Sequence, residues 1–442
     1  MNYVIFFISF LTFINLGAQE GLTVVAVGKA TLKIERIYFA KPIIIGQTSV
    51  QQKKEYAELL DLFQNDFSFY QKKFSLVETD TKQISTDKIN YDLWQKKNLS
   101  YYITSKITSE NKQVYLTIVG YNVAQGKEFI SFKELMTPGK IRHVGHTITN
   151  KIYQKLTGKK SIFLSKIAFV SDRNSTRKTP IKELYMMDFD GRNIKRLTYH
   201  GGTVISPAFS RDGKLISYSL IAPGKHKKNI NLHIINLKTM KNQKISFKKG
   251  INSGAIFMPG NKEIALTLSF VGNAEIFLLN RVTKKLKRIT RHYAHDVDPS
   301  ISSDGSILVF LSSRPGKAMI YTLDPTGTEK NVKRISYVGQ FNATPRFSPD
   351  GKEIAFSSWL ENRFDIFRIN PDGSGLARLT KNFGSNEDPS FSNDGEFIAF
   401  SSQRVLSLRK AIQNIYIMDR EGKILGAITS NYGNCVSPRW SH

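Results

Sequence analysis

Apolar and polar positions in the second half of the chain alternate in short runs that recur. Pro345-Arg346-Phe347-Ser348-Pro349-Asp350-Gly351, running into Ile354-Ala355-Phe356-Ser357-Ser358, returns 44 residues later as Pro389-Ser390-Phe391-Ser392-Asn393-Asp394-Gly395, running into Ile398-Ala399-Phe400-Ser401-Ser402. Weaker copies start at Pro207, Ala255 and Pro299, and in all five the next apolar run begins nine positions on, at Ile216, Ile264, Leu308, Ile354 and Ile398. Alternation broken by Asp-Gly predicts two strands joined by a tight turn, because these residues tolerate positive φ. Third strands are expected at 183–188, 231–237, 275–279, 319–324, 365–370 and 414–419. Fourth strands end in a recurring tail, as in Lys195-Arg196-Leu197-Thr198, Lys287-Arg288-Ile289-Thr290 and Ala377-Arg378-Leu379-Thr380. Four strands in about 45 residues make the blade of a β-propeller.

The blade count follows from the second strand, which occurs six times, first at Ile167. That first copy has no Pro-x-Phe-Ser run nine residues earlier, where Gly158 stands, while the chain ends in Ser437-Pro438-Arg439-Trp440-Ser441-His442, the missing run with nothing after it. The C-terminal segment is therefore expected to insert as the innermost strand of the first blade, closing the ring and removing an exposed sheet edge.

Upstream, the pattern changes. Strands are expected at 22–27, 30–39, 101–107, 113–121 and 128–132, and a helix at 53–67. A last helix, at 139–156, carries Ile141, Val144, Ile148, Ile152 and Leu156 near helical spacing, with Gly158 as its stop. The fold class read from the chain is thus an α/β N-terminal domain, residues 19–160, followed by an all-β six-bladed β-propeller, residues 161–442, closed by the C-terminal strand.

Residues 1–18 are almost wholly apolar and end in Gly17-Ala18, the shape of a signal peptide, although no Lys or Arg precedes the apolar run, which leaves an uncleaved anchor open. Cys435 is the only cysteine, so stability rests on burial, and it reads as a tolerated small side chain. Lys plus Arg number 64 against 36 Asp plus Glu, a formal charge of +28. The excess is scattered as pairs such as Lys72-Lys73, Lys159-Lys160 and Lys248-Lys249 rather than gathered in one stripe, so nucleic acid is not the expected partner.

In a propeller the connections from each fourth strand to the next first strand emerge on one face. Polar and aromatic tips there form a candidate binding mouth: His200, Thr203, Asn252, His292, Tyr293, Asp296, Phe341, Asn342, Glu387 and Tyr432. Leu22, Thr23, Val24, Val25, Ala26 and Val27 form an apolar strand near the N-terminus that could add to a partner's sheet.

Enzyme readings find less support. His292, His295, Asp296 and Asp298 have metal-ligand chemistry at short spacing, but they sit in a blade loop without the helical spacing that would align the two histidines. His143 and His146 lie one helical turn apart and are expected to pack against the propeller. No Gly-x-Ser-x-Gly nucleophile elbow occurs. No catalytic residue, cofactor or metal is assigned.

The blade repeat, the junction Arg142-His143-Val144-Gly145-His146-Thr147-Ile148 leading through Leu156-Thr157-Gly158 to Lys166-Ile167-Ala168-Phe169-Val170, and the truncated Pro-Arg-Trp-Ser ending together resemble the TolB family, periplasmic propellers of the Tol-Pal system of Gram-negative bacteria. The resemblance spans nearly the whole chain. It is loose in the first domain, the copy at Ala255 replaces the Pro-Asp-Gly turn with Met258-Pro259-Gly260-Asn261, and the positive charge is unusual for the family. It implies a monomeric, non-enzymatic periplasmic scaffold that binds the lipoprotein Pal through the propeller mouth and TolA through residues near Leu22 to Val27, touching membranes only through partners. The implied role is in outer-membrane integrity and envelope constriction during cell division. The alternative is a secreted propeller hydrolase or lyase acting on saccharide or peptide.

Overall fold

The structure, a computed structural model, describes residues 33–46, 50–78, 89–111, 113–176, 179–224, 229–407 and 410–441. The expected signal peptide and the strand at 22–27 lie outside the described residues.

The first domain is a six-stranded mixed sheet with helices packed on it. Strands β1 (Glu35–Phe39), β2 (Ile43–Ile45), β3 (Phe74–Leu76), β4 (Tyr101–Glu110), β5 (Gln113–Asn122) and β6 (Lys127–Leu135) run in the order β3-β1-β4-β5-β6, with β2 also paired to β4. Helix α1 (Val50–Ser68) buries Tyr56, Leu59, Phe63 and Phe67, a stripe at helical spacing. Helix α3 (Ile141–Thr157) buries Val144, Ile148 and Ile152 against it. The two helices approach closely at Gly145, where a Cβ would lie 2.8 Å from Leu62 Cδ2. Gly158, at φ 69°, ends α3 in the left-handed conformation that glycine adopts at least cost. The helix α2 (Tyr91–Lys96), capped by Asn90 and buried through Trp94, and the three-residue strands β2 and β3 were not foreseen, because segments this short show no periodicity.

The propeller has six four-stranded sheets. Its inner strands are Cys435–Trp440, Thr203–Phe209, Asn252–Phe257, Asp296–Ile301, Asn342–Phe347 and Ser385–Phe391, which define blades 1 to 6 in that order. Ring closure is as expected: Cys435–Trp440 pairs with Lys166–Ser171 in blade 1, with Trp440 opposite Ile167 and Cys435 opposite Ser171. All six second-strand residues used for the count, Ile167, Ile216, Ile264, Leu308, Ile354 and Ile398, are fully buried. Each such side chain contributes about 1.5–3 kcal/mol through burial. Every inner strand also bulges, and the residue before the repeat's first position, Ser206, Gly254, Asp298, Thr344, Asp388 or Ser437, takes a positive φ between 49 and 61°.

One apolar core joins the domains. Phe67, Tyr70, Phe163, Phe189, Phe397 and Trp440 belong to a single buried cluster. Tyr70 Oη donates to Asp394 Oδ2 at 2.6 Å and accepts from Ile162 N, while Lys73 pairs with Glu396 at 3.0 Å. The first domain therefore docks on blade 6's inner hairpin turn, on the face opposite the mouth. Among the described residues no helix is long and apolar enough to cross a membrane.

The mouth of the propeller as a candidate functional site

The recurring tail turns out to anchor the mouth loops. The hydroxyls of Thr198, Thr290, Ser336, Thr380 and Thr429 accept hydrogen bonds from the third-strand amides of Leu184, Ile276, Ile320, Ile366 and Ile415, at 2.8–2.9 Å. In three blades a buried carboxylate joins them. Glu275 accepts from Thr290 Oγ1 (2.5 Å), Arg288 Nη2 (3.0 Å), the amide of His292 (2.9 Å) and Asn273 Nδ2 (2.9 Å). Glu183 binds Thr198, Arg196 and the amide of Gly201 in the same way, and Asp365 binds Thr380 and Arg378. The Arg-x-Thr pairs visible in the sequence are thus the partners of a carboxylate at the head of the third strand. Charge-assisted bonds of this kind fix where each loop leaves its blade.

The ten candidate residues fall into three groups. Asn252, Asp296 and Asn342 are at most 1% exposed and share one position, three residues before the repeat's first residue. Asn252 ties Ser246, Ile230 and Lys248; Asn342 ties Ser336, Val338 and Ser358; Asp296 pairs with Arg314 at 2.8 Å. These side chains shape the loops from inside and offer nothing to solvent.

A second group is half-buried. His200 Nε2 lies 2.8 Å from Tyr218 Oη, and its ring packs beside Tyr218 and His233, where burial lowers its pKa. Thr203 opens the inner strand of blade 2. The His292 ring packs on Tyr293, and its Nδ1 accepts from the amide of Ala294. Tyr432 lies under the Arg173 guanidinium, 4.1 Å from its ring centre.

Glu387 is the most perturbed of these. Burial, with a smaller push from the Asp388 carboxylate, raises it to about 7. Because its pKa is higher in the folded chain than in the unfolded chain, stability is lost as pH rises from about 4.5 to about 7 and then levels off. Glu387→Gln is expected to raise the thermal midpoint at pH 8 and leave it unchanged near pH 4; equal midpoints at both pH values would refute the assignment.

The third group faces solvent. Tyr293 is 84% exposed, and Phe341 is 38% exposed on a stack with Trp359. The structure adds two residues the loop reading had not singled out, Phe247 (65%) and Tyr337 (72%), which join Tyr199 (73%) at one repeated place, directly after the tail. Cations brace all three: Arg196 over Tyr199, Lys244 over Phe247 and Arg334 over Tyr337. Tail-then-aromatic was the available signal. These aromatics rim one face of the ring.

The metal-like run at 292–298 is dispersed. His292 and His295 accept from the amides of Ala294 and Ala274 through Nδ1, and Asp296 and Asp298 pair with Arg314 and Arg346. Among the described residues, His146, Asp188 and Asp190 have ligand atoms within 4.8 Å of one another, but Asp190 already holds Arg142 and Asp188 holds Lys166, each at 2.5 Å. His146 itself packs on Phe189 and binds the buried Asp66 at 2.9 Å, as expected of a histidine facing the propeller, whereas His143 is exposed. Cys435 is fully buried, and that burial pushes its thiol up to about 11, so it is no nucleophile near neutral pH.

A closed six-bladed propeller with an aromatic mouth and an α/β domain docked beneath it defines the class of this protein. Residues 153–442 match the family PD40, the TolB beta propeller domain. The chain belongs to this family. It is 31% identical over 288 residues to the Tol-Pal system protein TolB of Francisella tularensis subsp. holarctica, a match covering 62% of this chain and 64% of that protein's length. A protein TolB homolog of Chlorobium luteolum is 29% identical over 356 residues, covering 80% of this chain and 77% of the homolog. The crystal structure of TolB from Acinetobacter baumannii shares the fold, with a TM-score of 0.75 at 23% identity over 92% of this chain and 97% of that one.

Proposed function

We propose that this protein is a periplasmic adaptor of a Tol-Pal system that acts by reversible binding rather than catalysis. Its mouth would receive the lipoprotein Pal, and its N-terminal segment, Leu22 to Val27, would engage TolA. The observation that carries the reading is the rim of exposed aromatics, Tyr199, Phe247, Tyr293 and Tyr337, on loops anchored by the buried carboxylates Glu183 and Glu275 or by the buried amides of Asn252 and Asn342. Aromatic side chains on a rigid frame are the usual anchors of protein interfaces. The name of one relative points to a Tol-Pal system, and Pal and TolA as the partners are what the family resemblance implies.

Binding of the purified chain to the soluble domain of Pal from the same organism, followed by calorimetry, tests this. Tyr293→Ala and Tyr337→Ala are each expected to weaken binding about tenfold, the effect of losing a moderate hot spot, with melting unchanged. Absence of binding by the unaltered chain at micromolar concentrations would reverse the proposal.

A further inference from the structure

The lower half of the central channel holds three arginine guanidinium groups around a cavity of about 100 Å³ lined by all six inner strands. That volume is several times the 10–15 Å³ that one water requires. Arg346 and Arg439 occupy the variable place of the Pro-x-Phe-Ser run in blades 5 and 1, either side of Ser390 in blade 6. Arg211 leaves the inner turn of blade 2 and reaches across the floor to the carbonyls of Ile301 and Ser302 in blade 4, both at 3.3 Å.

Their charges are under-compensated. Arg346 bonds Asp298 at 2.8 Å and the Pro345 carbonyl, leaving its buried Nε without a partner. Arg439 is only 7% exposed, yet among the described residues its side chain bonds the carbonyl of Pro438 and no carboxylate lies within ion-pair distance of it. The nearest acids act on it only from beyond contact: Asp298, which is paired with Arg346, and Asp388, which accepts from Ser437 Oγ at 2.9 Å. Burial, and then the charge of Arg346, pulls the Arg439 guanidinium down to about 10, the direction expected of a cation awaiting a counter-charge.

A buried guanidinium without an anion is costly, and planar N–H forks fit the oxygens of phosphate-like groups in pairs. We propose that this cavity is a binding site for a small doubly charged oxyanion, held by Arg439 and Arg346 with Arg211 closing the floor. The site is separate from the aromatic mouth and does not depend on which partner the mouth receives.

Thermal melts with inorganic phosphate, and in parallel with sulfate, against chloride at matched ionic strength test the proposal. Both oxyanions should raise the midpoint saturably and by several degrees beyond chloride. Arg439→Gln should lower phosphate affinity at least about tenfold. In chloride buffer it should melt no lower than the unaltered chain, because it relieves an uncompensated charge, whereas a purely structural arginine would leave a destabilised variant. Arg211→Gln, at the channel floor, should also weaken the response, and Lys238→Gln, which removes one exposed charge, should keep it. Chloride matching phosphate in the unaltered chain, or an undiminished phosphate response in both Arg439→Gln and Arg211→Gln, would overturn the site.

Discussion

A chain lacking residues 438–442 is expected to lose its single cooperative thermal transition and to aggregate on heating. The strand Cys435–Trp440 is the innermost strand of blade 1 and comes from the opposite end of the propeller sequence, so its ladder is the main link between the last blade and the first. Trp440 is 4% exposed, and its Nε1 donates to Ser165 Oγ at 2.6 Å. Beyond it, Ser441 N donates to the Lys166 carbonyl at 2.8 Å and Lys166 N to Ser441 Oγ at 2.9 Å. Truncation removes these bonds and, with Arg439 and Trp440 gone from opposite Ala168 and Ile167, bares the first half of the Lys166–Ser171 edge, a template for pairing between chains. The milder Trp440→Ala is expected to cost about 3–5 kcal/mol, as for other buried aromatic truncations, and to lower the midpoint by several degrees. Calorimetry checks both, and a truncated chain melting like the full one would sink the closure argument.

Glu275→Ala should produce the next largest loss, about 3 kcal/mol, because removing one partner of a buried ion pair strands the other. Glu275 is fully buried and accepts from Thr290, Arg288, Asn273 and the amide of His292, so the substitution takes this acceptor from Thr290, Arg288 and the His292 amide, while Asn273 keeps the His292 and Ala294 carbonyls. The denaturant midpoint should fall with little change in slope, which is the signature of lost stability rather than altered compactness. Adding Arg288→Met should restore part of the loss, since it removes the stranded charge. The same substitution frees the loop that carries Tyr293, so amide exchange at 291–295 should quicken even where the blade stays folded. Unchanged exchange there would show that the carboxylate does not position the mouth.

The amino-acid sequence by itself determined the propeller, its blade number and its closure. The reason is local: Asp-Gly turns, two-residue alternation and the Arg-x-Thr tail each act within one hairpin, and repetition made a weak copy such as that at Ala255 readable beside strong ones. The ends could be matched because a missing first strand and an orphan last strand are the same pattern cut in two. Helices α1 and α3 were legible for a similar reason, being long enough to show a stripe, whereas α2, β2 and β3 were not.

Only the tertiary structure decided what each loop residue does. Asn252, Asp296 and Asn342 look as suited to a partner as Tyr293, yet they are the first paired residues of their inner strands and are buried, whereas Tyr293 sits in the loop before its strand and is exposed. Their hydrogen-bond partners, Ser246, Arg314 and Ser336 among others, are fixed by how neighbouring strands pair, which no short window records. The channel arginines make the same point more sharply. Arg211, Arg346 and Arg439 stand in three separate repeats as ordinary polar positions, and only the closing of the ring brings their charges together, since a charge's environment is set by what surrounds it in space and not along the chain.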